Sequence, residues 1–523
     1  MRHPRIITAY PFLVAVYAVL VLAAKNSAEV WPQDMVAPLA ISLTVAAAAL
    51  LLGRVMTRDL HLSGLIALAL VVWFAWYGYM DRLLAHQQWL QPLSAPRYAA
   101  PLILFLLSAI PYLIARRCAW TLPWLTRYLN VTAVILVILP AVSLARSWVR
   151  TMPWMGRSGI SGPASVASPH IAMDVKEKPD IYLIILDKYT GSRSLQANYG
   201  YDNHPFEASL RRQGFFVPAA PRSNYVHTHL ALASILNWRL LDDRPPELTA
   251  TTGALGLDYV AIEDNRSWRH LRDIGYRFVF FPSAYPATTQ NRYADMQLPQ
   301  PSEVVGEFGA TWSRKTLLLP VGRWWCQSLG CKRNRFPYTP APASIIDWKF
   351  EHLGQMPDTT GPLFVFAHFV LPHEPYVFEP DCTHREPYWP DADSGSEELP
   401  VKAAYVRQIQ CVNRKVLKLT SDLLARSKTP PIIILQADHG HGRLGRAFAT
   451  LRAAGPERSN ERTDIFAAYY LPGHPTGVVY DSITPVNVLP RIFNHYFGAD
   501  IPLQPDATYW STWDEPFQFT RIR

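Results

Sequence analysis

Residues with the chemistry of a metal site follow two of the most apolar segments of the chain. Asp187 comes directly after IYLIIL (181–186), and Asp438 and His439 come directly after PIIILQA (431–437). Short runs of this kind predict strands that are buried on both faces. Taken singly, an aspartate after a strand is often a cap or turn residue, and a His-Gly pair is often a turn. Together, carboxylate oxygens and an imidazole nitrogen at strand ends predict a divalent-cation site.

Thr228 is a further candidate residue, because its hydroxyl group could bind the same cation. It lies in SNYVHTHLALASILN (223–237), directly before an apolar, helix-like segment. A threonine there commonly caps the helix by accepting a hydrogen bond from a free backbone N–H. The same helix end presents unpaired N–H groups and a positive dipole end to a phosphate, and a hydroxyl bound to a metal can attack phosphorus. The sequence therefore leaves two roles open for Thr228, as a cap and as a nucleophile.

Further histidines lie in AHFVLPHEPYVF, where His368 ends an apolar run and His373 lies in the following loop. A histidine in such an exit loop can contact phosphate oxygens, protonate a leaving oxygen or bind a second cation. The structural alternative for both is a hydrogen-bonded histidine without a catalytic role. We predict a catalytic role for His373 and substrate binding by His368, Asn224 and His441.

The segments that must position these residues alternate, from Asp180 onward, between short apolar runs and longer helix-like segments. Further strands are predicted at RFVFF (277–281), LFVFAHFV (363–370) and IFAAYYL (465–471). Helices are predicted for FEASLRRQ, SWRHLRDIG, ASIIDWKFEHL, KAAYVRQIQCVNRKVLKLTSDLLA and TPVNVLPRIFNHYF. This alternation predicts an α/β domain with a mainly parallel central sheet and helices on both faces. In such a sheet ligands bind beyond the carboxyl ends of the strands, which is where the candidate residues fall.

The first 145 residues have a different composition, with uncharged runs close to the ~20 residues that a helix needs to cross a bilayer. Five spans are predicted, near 6–24, 36–52, 63–80, 99–115 and 129–145. Four more runs follow the first, so a retained span is predicted and not a cleaved signal peptide. The alternative for the shorter runs is a buried soluble helix. Basic residues at the start and in the loops 54–61 and 116–127 predict a cytoplasmic N-terminus and everything after residue 146 outside the cytoplasm.

Three regions are therefore expected: a transmembrane domain (1–145), an interfacial segment and linker (146–179) and an extracytoplasmic domain (180–523). Cys118 lies in the predicted transmembrane domain. The extracytoplasmic domain holds an even number of cysteines, which are Cys326, Cys331, Cys382 and Cys411. They allow three pairings into two disulfides, in keeping with an oxidising compartment. No C-x-x-C pair occurs, which disfavours a zinc cluster. The net charge of +9 is spread thinly, which predicts attraction to anionic lipid surfaces and not nucleic-acid binding.

The order of these motifs resembles the sulfatase-like branch of the alkaline phosphatase superfamily. A membrane bundle is followed by ILDKYTG, SNYVHTHLALASILN, HFVLPHEPY and ADHGHG, a layout similar to that of membrane-anchored lipoteichoic acid synthases and phosphoethanolamine transferases. The resemblance implies a five-helix transmembrane bundle joined to an α/β alkaline-phosphatase-like domain, in the bacterial inner membrane. It further implies that a phospholipid donates its phosphoglycerol or phosphoethanolamine headgroup to an envelope glycan or lipid through a phosphothreonine intermediate.

The resemblance also assigns roles to residues. It implies that Thr228 is the nucleophile and that His373 contacts the transferred phosphate. Its ligand set for one Zn²⁺, Mn²⁺ or Mg²⁺ ion is Asp187, Thr228, Asp438 and His439.

The chain departs from the family pattern at two places. The relatives carry a glutamate where this chain has Asp187, whose shorter side chain leaves the identity of the metal open. The extra histidine that follows the Asp-His pair in phosphoethanolamine transferases has no equivalent, since His441 comes too early, and a second metal is not expected.

Two rival functions remain open. Sulfatases form formylglycine in a C/S-x-P-x-R motif, and none of the five cysteines begins one, which disfavours sulfate ester hydrolysis. A phosphodiesterase of the same fold would share the first half-reaction of a transferase. A non-enzymatic membrane scaffold would need no metal. Tethering to the bilayer favours a lipid donor, because both reactants share one surface.

Overall fold

The structure is a computed structural model of the 523-residue chain. The residues that it describes are 7–26, 30, 32–86, 122–155, 178–242, 255–298, 307–318, 320–321, 343–388, 399–442, 455, 459–512 and 515–523. The chain divides into two compact units, Met1–Arg150 with Glu303–Pro340, and Thr151–Ser302 with Ala341–Arg523.

The α-helices of the described residues are α1 (Tyr10–Lys25), α2 (Val36–Thr57), α3 (Leu60–His86), α4 (Leu122–Met155), α5 (Ser192–Tyr199), α6 (His204–Arg212), α7 (Thr228–Asn237), α8 (Leu255–Glu263), α9 (Arg266–Asp273), α10 (Glu307–Lys315), α11 (Ala343–Gly354), α12 (Leu399–Arg426) and α13 (Pro485–Tyr496). The strands are β1 (Ile181–Leu186), β2 (Arg277–Phe281), β3 (Met296–Gln297), β4 (Leu363–Phe369), β5 (Tyr376–Phe378), β6 (His384–Tyr388), β7 (Ile432–Ala437), β8 (Ala467–Tyr470), β9 (Tyr509–Trp510) and β10 (Thr520–Arg521). Short 3₁₀ helices lie at Pro32–Met35, Pro286–Thr288 and Met356–Asp358.

The first unit contains apolar N-terminal helices. Three described stretches, Pro32–Thr57, Leu60–Tyr79 and Leu122–Arg146, are long and apolar enough to cross a membrane, whereas α1 is a shorter apolar helix of 16 residues. Four of the predicted spans coincide with these helices. The predicted span at 99–115 lies outside the described residues, so the number five stays a prediction.

Helix α10 belongs to the first unit although it lies far along the chain. Its Trp312 ring meets the Phe74 ring of α3 edge-on with the centroids 6.1 Å apart. Its Lys315 ammonium group donates to the hydroxyl of Tyr79 at 3.0 Å. Helix α10 therefore groups with the N-terminal helices in one compact unit. The predicted boundaries at 145 and 180 remain predictions.

The second unit is built on a six-stranded sheet with the order β3-β2-β4-β1-β7-β8. All neighbours pair in parallel except β8, which runs antiparallel to β7 at one edge. The mainly parallel sheet is thus confirmed. The five predicted strands all form, with ends that differ from the prediction by no more than two residues.

Strand β1 lies in the middle of this sheet and is buried on both faces. Tyr182, Ile184 and Leu186 join a core that includes residues of α11 and α12. Residues between them point to the opposite face, and all six residues of the strand are fully buried. Helix α12 covers its side of the core with an apolar stripe spaced three and four residues apart: Ile409, Val412, Val416, Leu419 and Leu423 are all at most 2% exposed.

The register of β1 with its two neighbours places the candidate residues. Leu186, the last residue of β1, pairs with Phe369 of β4 on one side and with Ala437 of β7 on the other. The next residues of β1 and β7 are Asp187 and Asp438, so the two carboxylates leave the sheet side by side at the same level.

One disulfide forms among the described residues, between Cys382, after β5, and Cys411 of α12. It selects one of the three pairings that the sequence allowed. The second disulfide of that pairing would join Cys326 and Cys331, which lie outside the described residues.

Candidate metal centre

Asp187 and Asp438 each direct one carboxylate oxygen into a shared space. Both residues are at most 1% exposed. Asp438 uses Oδ1 to accept the backbone N–H groups of His439 at 2.8 Å and Lys188 at 3.2 Å. Within the part of the chain that the structure describes, its Oδ2, like Oδ1 of Asp187, has no hydrogen-bond partner. Because buried polar atoms are almost always bonded, two orphaned oxygens that face each other indicate a cation position.

His439 supplies a nitrogen to the same space. Its Nδ1 is 2.9 Å from the carbonyl oxygen of Gly440, so Nδ1 carries the proton and donates it to that oxygen. Nε2 is then the unprotonated ring nitrogen, and its lone pair can bind a metal ion. Nε2 lies 3.4 Å from Oδ2 of Asp438 and 3.8 Å from Oδ1 of Asp187. Ligand atoms of the three residues all lie within 4.8 Å of one another, as a tetrahedral or octahedral ion requires.

Thr228 completes the group from a different part of the chain. Its hydroxyl lies 3.1 Å from Nε2 of His439 and interacts with the carboxylate of Asp438. Helix α7 begins at Thr228 itself, and the capping position is occupied by His227, whose backbone is extended. The hydroxyl is thus bonded to the strand-end residues and not to the helix, and the cap interpretation of Thr228 is wrong.

The electrostatics of the group favour a divalent cation. Burial and the neighbouring Asp438 raise the pKa of Asp187 well above its ordinary value, and burial also raises the pKa of Asp438. Two buried carboxylates this close repel each other, and a divalent ion would offset both charges. Burial and the nearby Arg462 lower the pKa of His439 well below its ordinary value, which keeps the imidazole neutral and able to bind a metal. The donor set therefore fits one divalent ion.

Arg462 is a charged residue at the site that the sequence did not reveal. It comes from the segment before β8 and is 3% exposed. Its Nε donates to the carbonyl oxygen of Val226 at 2.8 Å, and its Nη1 to that of His441 at 2.6 Å. Its Nη2 lies 3.2 Å from Nε2 of His439. The guanidinium therefore adds a fixed positive charge beside the carboxylate pair.

His373 lies in a loop that is fixed to the end of β1. Its backbone N–H donates to the carbonyl oxygen of Asp187 at 3.1 Å. The side chain of Gln408 on α12 holds the same loop by donating to the carbonyl oxygens of Pro372 and His373, each at 3.0 Å. The ring Nδ1 of His373 donates to the carbonyl oxygen of Glu374 at 2.6 Å, so the other nitrogen, Nε2, is the proton acceptor in the neutral ring.

An ion pair flanks this histidine. The ammonium group of Lys188 donates to both carboxylate oxygens of Glu374, at 3.0 and 3.1 Å. Burial and the Lys188 charge lower the pKa of His373 to about 4, and the Lys188 charge holds the pKa of Glu374 well below its ordinary value against the opposing effect of burial. His373 is therefore a neutral imidazole near pH 7.

The three residues predicted to bind substrate lie in different surroundings, and that role stays a prediction for each. His368 is fully buried, and its Nδ1 is 2.9 Å from the hydroxyl of Thr288. Its Nε2 has no hydrogen bond to any described residue and lies 3.9 Å from Oδ2 of Asp187. The two ring nitrogens of His441 are 2.7 and 3.0 Å from tyrosine hydroxyls. Asn224 uses its amide to bond the backbone of Ala507 and Val486.

Two of the residues that the sequence prediction missed had a signal in the sequence. Lys188 directly follows the candidate ligand Asp187, and Glu374 directly follows His373. Arg462 had none, because a single arginine in a polar segment shows neither its burial nor its partners.

No protein-family model matches the chain, and no curated protein matches it. Solved structures that it is similar to include lipooligosaccharide phosphoethanolamine transferase A, an integral membrane protein of Neisseria meningitidis, with 11% identity, 93% of this chain and 94% of that chain covered, and a TM-score of 0.42. Another is the C-terminal periplasmic domain of EptC from Escherichia coli in complex with zinc, with 11% identity, 68% and 96% covered, and a TM-score of 0.41. A third is a protein in the alkaline phosphatase superfamily from Vibrio parahaemolyticus, with 10% identity, 69% and 81% covered, and a TM-score of 0.38.

These neighbours belong to the group that the motifs resemble. Their TM-scores all lie below 0.5, and the geometry of the site itself therefore carries the functional conclusions.

Proposed function

We propose that the protein is a membrane-anchored, metal-dependent phosphotransferase of the alkaline phosphatase superfamily type. In this proposal Thr228 takes a phosphoglycerol or phosphoethanolamine headgroup from a phospholipid and passes it to an envelope glycan or lipid. One observation supports it above all. The Thr228 hydroxyl at a helix N-terminus is 3.1 Å from a metal-competent imidazole nitrogen, beside two buried carboxylates with unpartnered oxygens.

The cofactor in this proposal is one Zn²⁺, Mn²⁺ or Mg²⁺ ion. Asp187, Asp438, His439 and Thr228 would hold it, through Oδ1, Oδ2, Nε2 and Oγ1 respectively. When bound, such an ion lowers the pKa of a ligating hydroxyl and stabilises negative charge on phosphorus oxygens.

In the first half-reaction the Thr228 oxygen attacks phosphorus. The Asp438 carboxylate, which interacts with this hydroxyl, would accept the hydroxyl proton as the Oγ–P bond forms. The bond between phosphorus and the diacylglycerol oxygen breaks, and that oxygen keeps the electron pair and takes up a proton. The first N–H groups of α7 face the added phosphoryl group with the positive end of the helix dipole.

In the second half-reaction an acceptor hydroxyl attacks the phosphothreonine. His373 is the candidate general base. Its Nδ1 donates to the carbonyl oxygen of Glu374, so its Nε2 can take the proton from the attacking hydroxyl group. The sequence suggested that His373 contacts phosphate or protonates a leaving oxygen, and the tautomer held by Glu374 favours proton acceptance instead. The Oγ–P bond breaks, and the proton returns to the Thr228 oxygen.

The membrane provides the donor in this proposal. Three helices of the described residues are long enough to span a bilayer, and tethering there raises the local concentration of a lipid substrate. We place the catalytic unit outside the cytoplasm of a bacterium, across the inner membrane, because basic residues concentrate in the loops that would face inward. The Cys382–Cys411 disulfide is in keeping with an oxidising compartment.

The experiment that tests this function follows the headgroup. Full-length protein in detergent is loaded with zinc and given a phospholipid with a labelled headgroup, without a glycan acceptor. Label is expected on the peptide that contains Thr228, identified by mass spectrometry. Thr228→Val has a similar volume and no hydroxyl and is expected to stay unlabelled, whereas the matched Thr228→Ser variant keeps the hydroxyl and should be labelled.

The outcomes separate the rivals. Free headgroup phosphate without dependence on an added acceptor identifies a hydrolase of the same fold. A purified protein that holds no divalent ion and takes up no label identifies a scaffold, and the proposed transfer is then refuted.

A further inference from the structure

Arg462 faces the candidate metal centre and has no part in the steps above. A guanidinium that is 3% exposed must find partners for its N–H groups, because burying an unpaired charge is costly. Four acceptors receive bonds from Nε and Nη1: the carbonyl oxygens of Val226, Gly440, His441 and Gly442. These bonds fix the plane of the side chain and the direction of its remaining nitrogen.

That remaining nitrogen, Nη2, carries two N–H groups. Within the described part of the chain its hydrogen-bond partner is Nε2 of His439, at 3.2 Å. The same Nε2 holds the lone pair that a metal ion would use. A nitrogen with one lone pair cannot accept a hydrogen bond and bind a metal at once. With a metal on Nε2, the N–H group of Nη2 that donates to His439 would lose its acceptor, while the bonds from Nε and Nη1 still hold the side chain against the site.

We infer that Arg462 is a catalytic residue, which donates from Nη2 to a non-bridging oxygen of the phosphoryl group that is transferred to Thr228. This inference rests on the proposed phosphotransferase function. Thr228 Oγ1 and Arg462 Nη2 lie 3.1 and 3.2 Å from the same His439 nitrogen, so a phosphoryl group on Thr228 comes within reach of Nη2. The planar guanidinium matches phosphate oxygens well.

The role is charge stabilisation and leaves the bond changes of the first half-reaction as they are. The Oγ–P bond forms, the bond from phosphorus to the diacylglycerol oxygen breaks, and Arg462 keeps all its protons. In two-metal phosphoryl-transfer sites a second cation stabilises the oxygens of the displacement. The fixed guanidinium provides a positive charge at such a position in a chain where the sequence predicts a single metal.

The test measures phosphate binding rather than turnover. Full-length protein in detergent, with its zinc content measured, is titrated with inorganic phosphate by calorimetry, with zinc and after EDTA treatment. Wild-type protein is expected to bind phosphate more tightly with zinc. Arg462→Lys should bind it about tenfold to a hundredfold more weakly at equal zinc content, as expected for a lost charge-assisted hydrogen bond.

Arg222→Lys is the matched control. Arg222 is a partly buried arginine outside the metal group, and it donates at 3.1 Å to the hydroxyl of Thr463, the residue after Arg462. Its variant should bind phosphate like the wild type. Equal phosphate affinity in zinc-loaded Arg462→Lys and wild-type protein would overturn the inference.

A second measurement needs no variant, in case Arg462→Lys fails to fold. An experimental structure of the wild type with zinc and orthovanadate should place Nη2 about 3 Å from a vanadate oxygen. An Nη2 turned away from the vanadate would refute the role. Phosphate binding does not require Thr228 to be a nucleophile, so a missing label on Thr228 and an unchanged phosphate affinity in Arg462→Lys are distinguishable failures.

Discussion

Asp438→Asn should stabilise the metal-free protein and weaken its response to metal. The asparagine keeps an oxygen to accept the backbone N–H groups of His439 and Lys188, and it replaces the unpartnered Oδ2 with a neutral amide. The change therefore removes one charge of the pair with Asp187 and little else. In wild-type protein without metal, burial raises the pKa of Asp438 overall, although the nearby charge of Arg462 lowers it.

The size of the effect follows from the distance between the carboxylates. Ligand oxygens of Asp187 and Asp438 lie within 4.8 Å of each other. At an effective dielectric constant of about 20, two unit charges that close repel by about 3 kcal/mol. The wild type avoids part of this cost by binding a proton, since the pKa of both groups is raised, so we expect a gain of about 1 to 3 kcal/mol. In a protein of this size that is a few degrees in melting temperature.

The assay is thermal unfolding of the full chain in detergent, with EDTA or with saturating zinc. In EDTA the variant should melt above the wild type. In zinc the wild type gains stability by mass action, by about 4 kcal/mol at a thousandfold excess over the dissociation constant, and the variant gains much less.

A matched control is Asp464→Asn. Asp464 is a buried aspartate whose carboxylate is already bonded by Ser194 and Arg193, so neutralising it should not raise the melting temperature. If Asp438→Asn melted no higher than wild type in EDTA and kept the full zinc response, the two carboxylates would not share an ion.

Two further predictions concern the frame of the site. Burial raises the pKa of Asp180, just before β1, to about 6, so the stability that its protonated form contributes is fully present below about pH 4 and lost as the pH rises through 6. Asp180→Asn should keep that contribution as the pH rises, and it is worth about 1 to 2 kcal/mol after allowance for the partial exposure of Asp180. The difference in melting temperature between the variant and the wild type should therefore grow between pH 4 and 7. A difference that stays constant over this range would contradict the prediction. At Gly440 an added Cβ would lie 2.0 Å from the carbonyl oxygen of Glu461. Gly440→Ala should therefore lose stability and zinc binding together, as measured by thermal unfolding and metal content. A variant with wild-type values for both would contradict this close contact.

The parts of the site on the central sheet were accessible from the sequence. Apolar runs such as IYLIIL predict buried strands, and the rule that ligands bind at the carboxyl ends of parallel strands singles out Asp187, Asp438 and His439. The same reasoning could not fix the direction of β8, because an apolar run reads alike in a parallel and an antiparallel strand. It runs antiparallel at the edge of the sheet.

The parts that depend on long-range packing were not accessible. The sequence offered a helix cap and a nucleophile for Thr228, and the contact of its hydroxyl with His439, 211 residues away, argues against the cap. Arg462 lies in a polar segment where no periodicity marks burial. Nor does any local pattern show that α10 groups with the N-terminal helices, since its place depends on contacts such as that between Trp312 and Phe74.

Strand register is the physical feature on which the metal centre depends most. Each residue of β1 pairs with one of β4 and one of β7, and these pairings set Asp187 and Asp438 at the same height. A slip of one residue would move a carboxylate by about 3.3 Å and turn its side chain to the opposite face of the sheet. All six residues of β1 are buried on both faces, so such a slip would also misplace every apolar side chain of the strand. The hydrophobic core that holds the sheet in register thereby also holds two like charges side by side, a placement that a bound cation would make favourable.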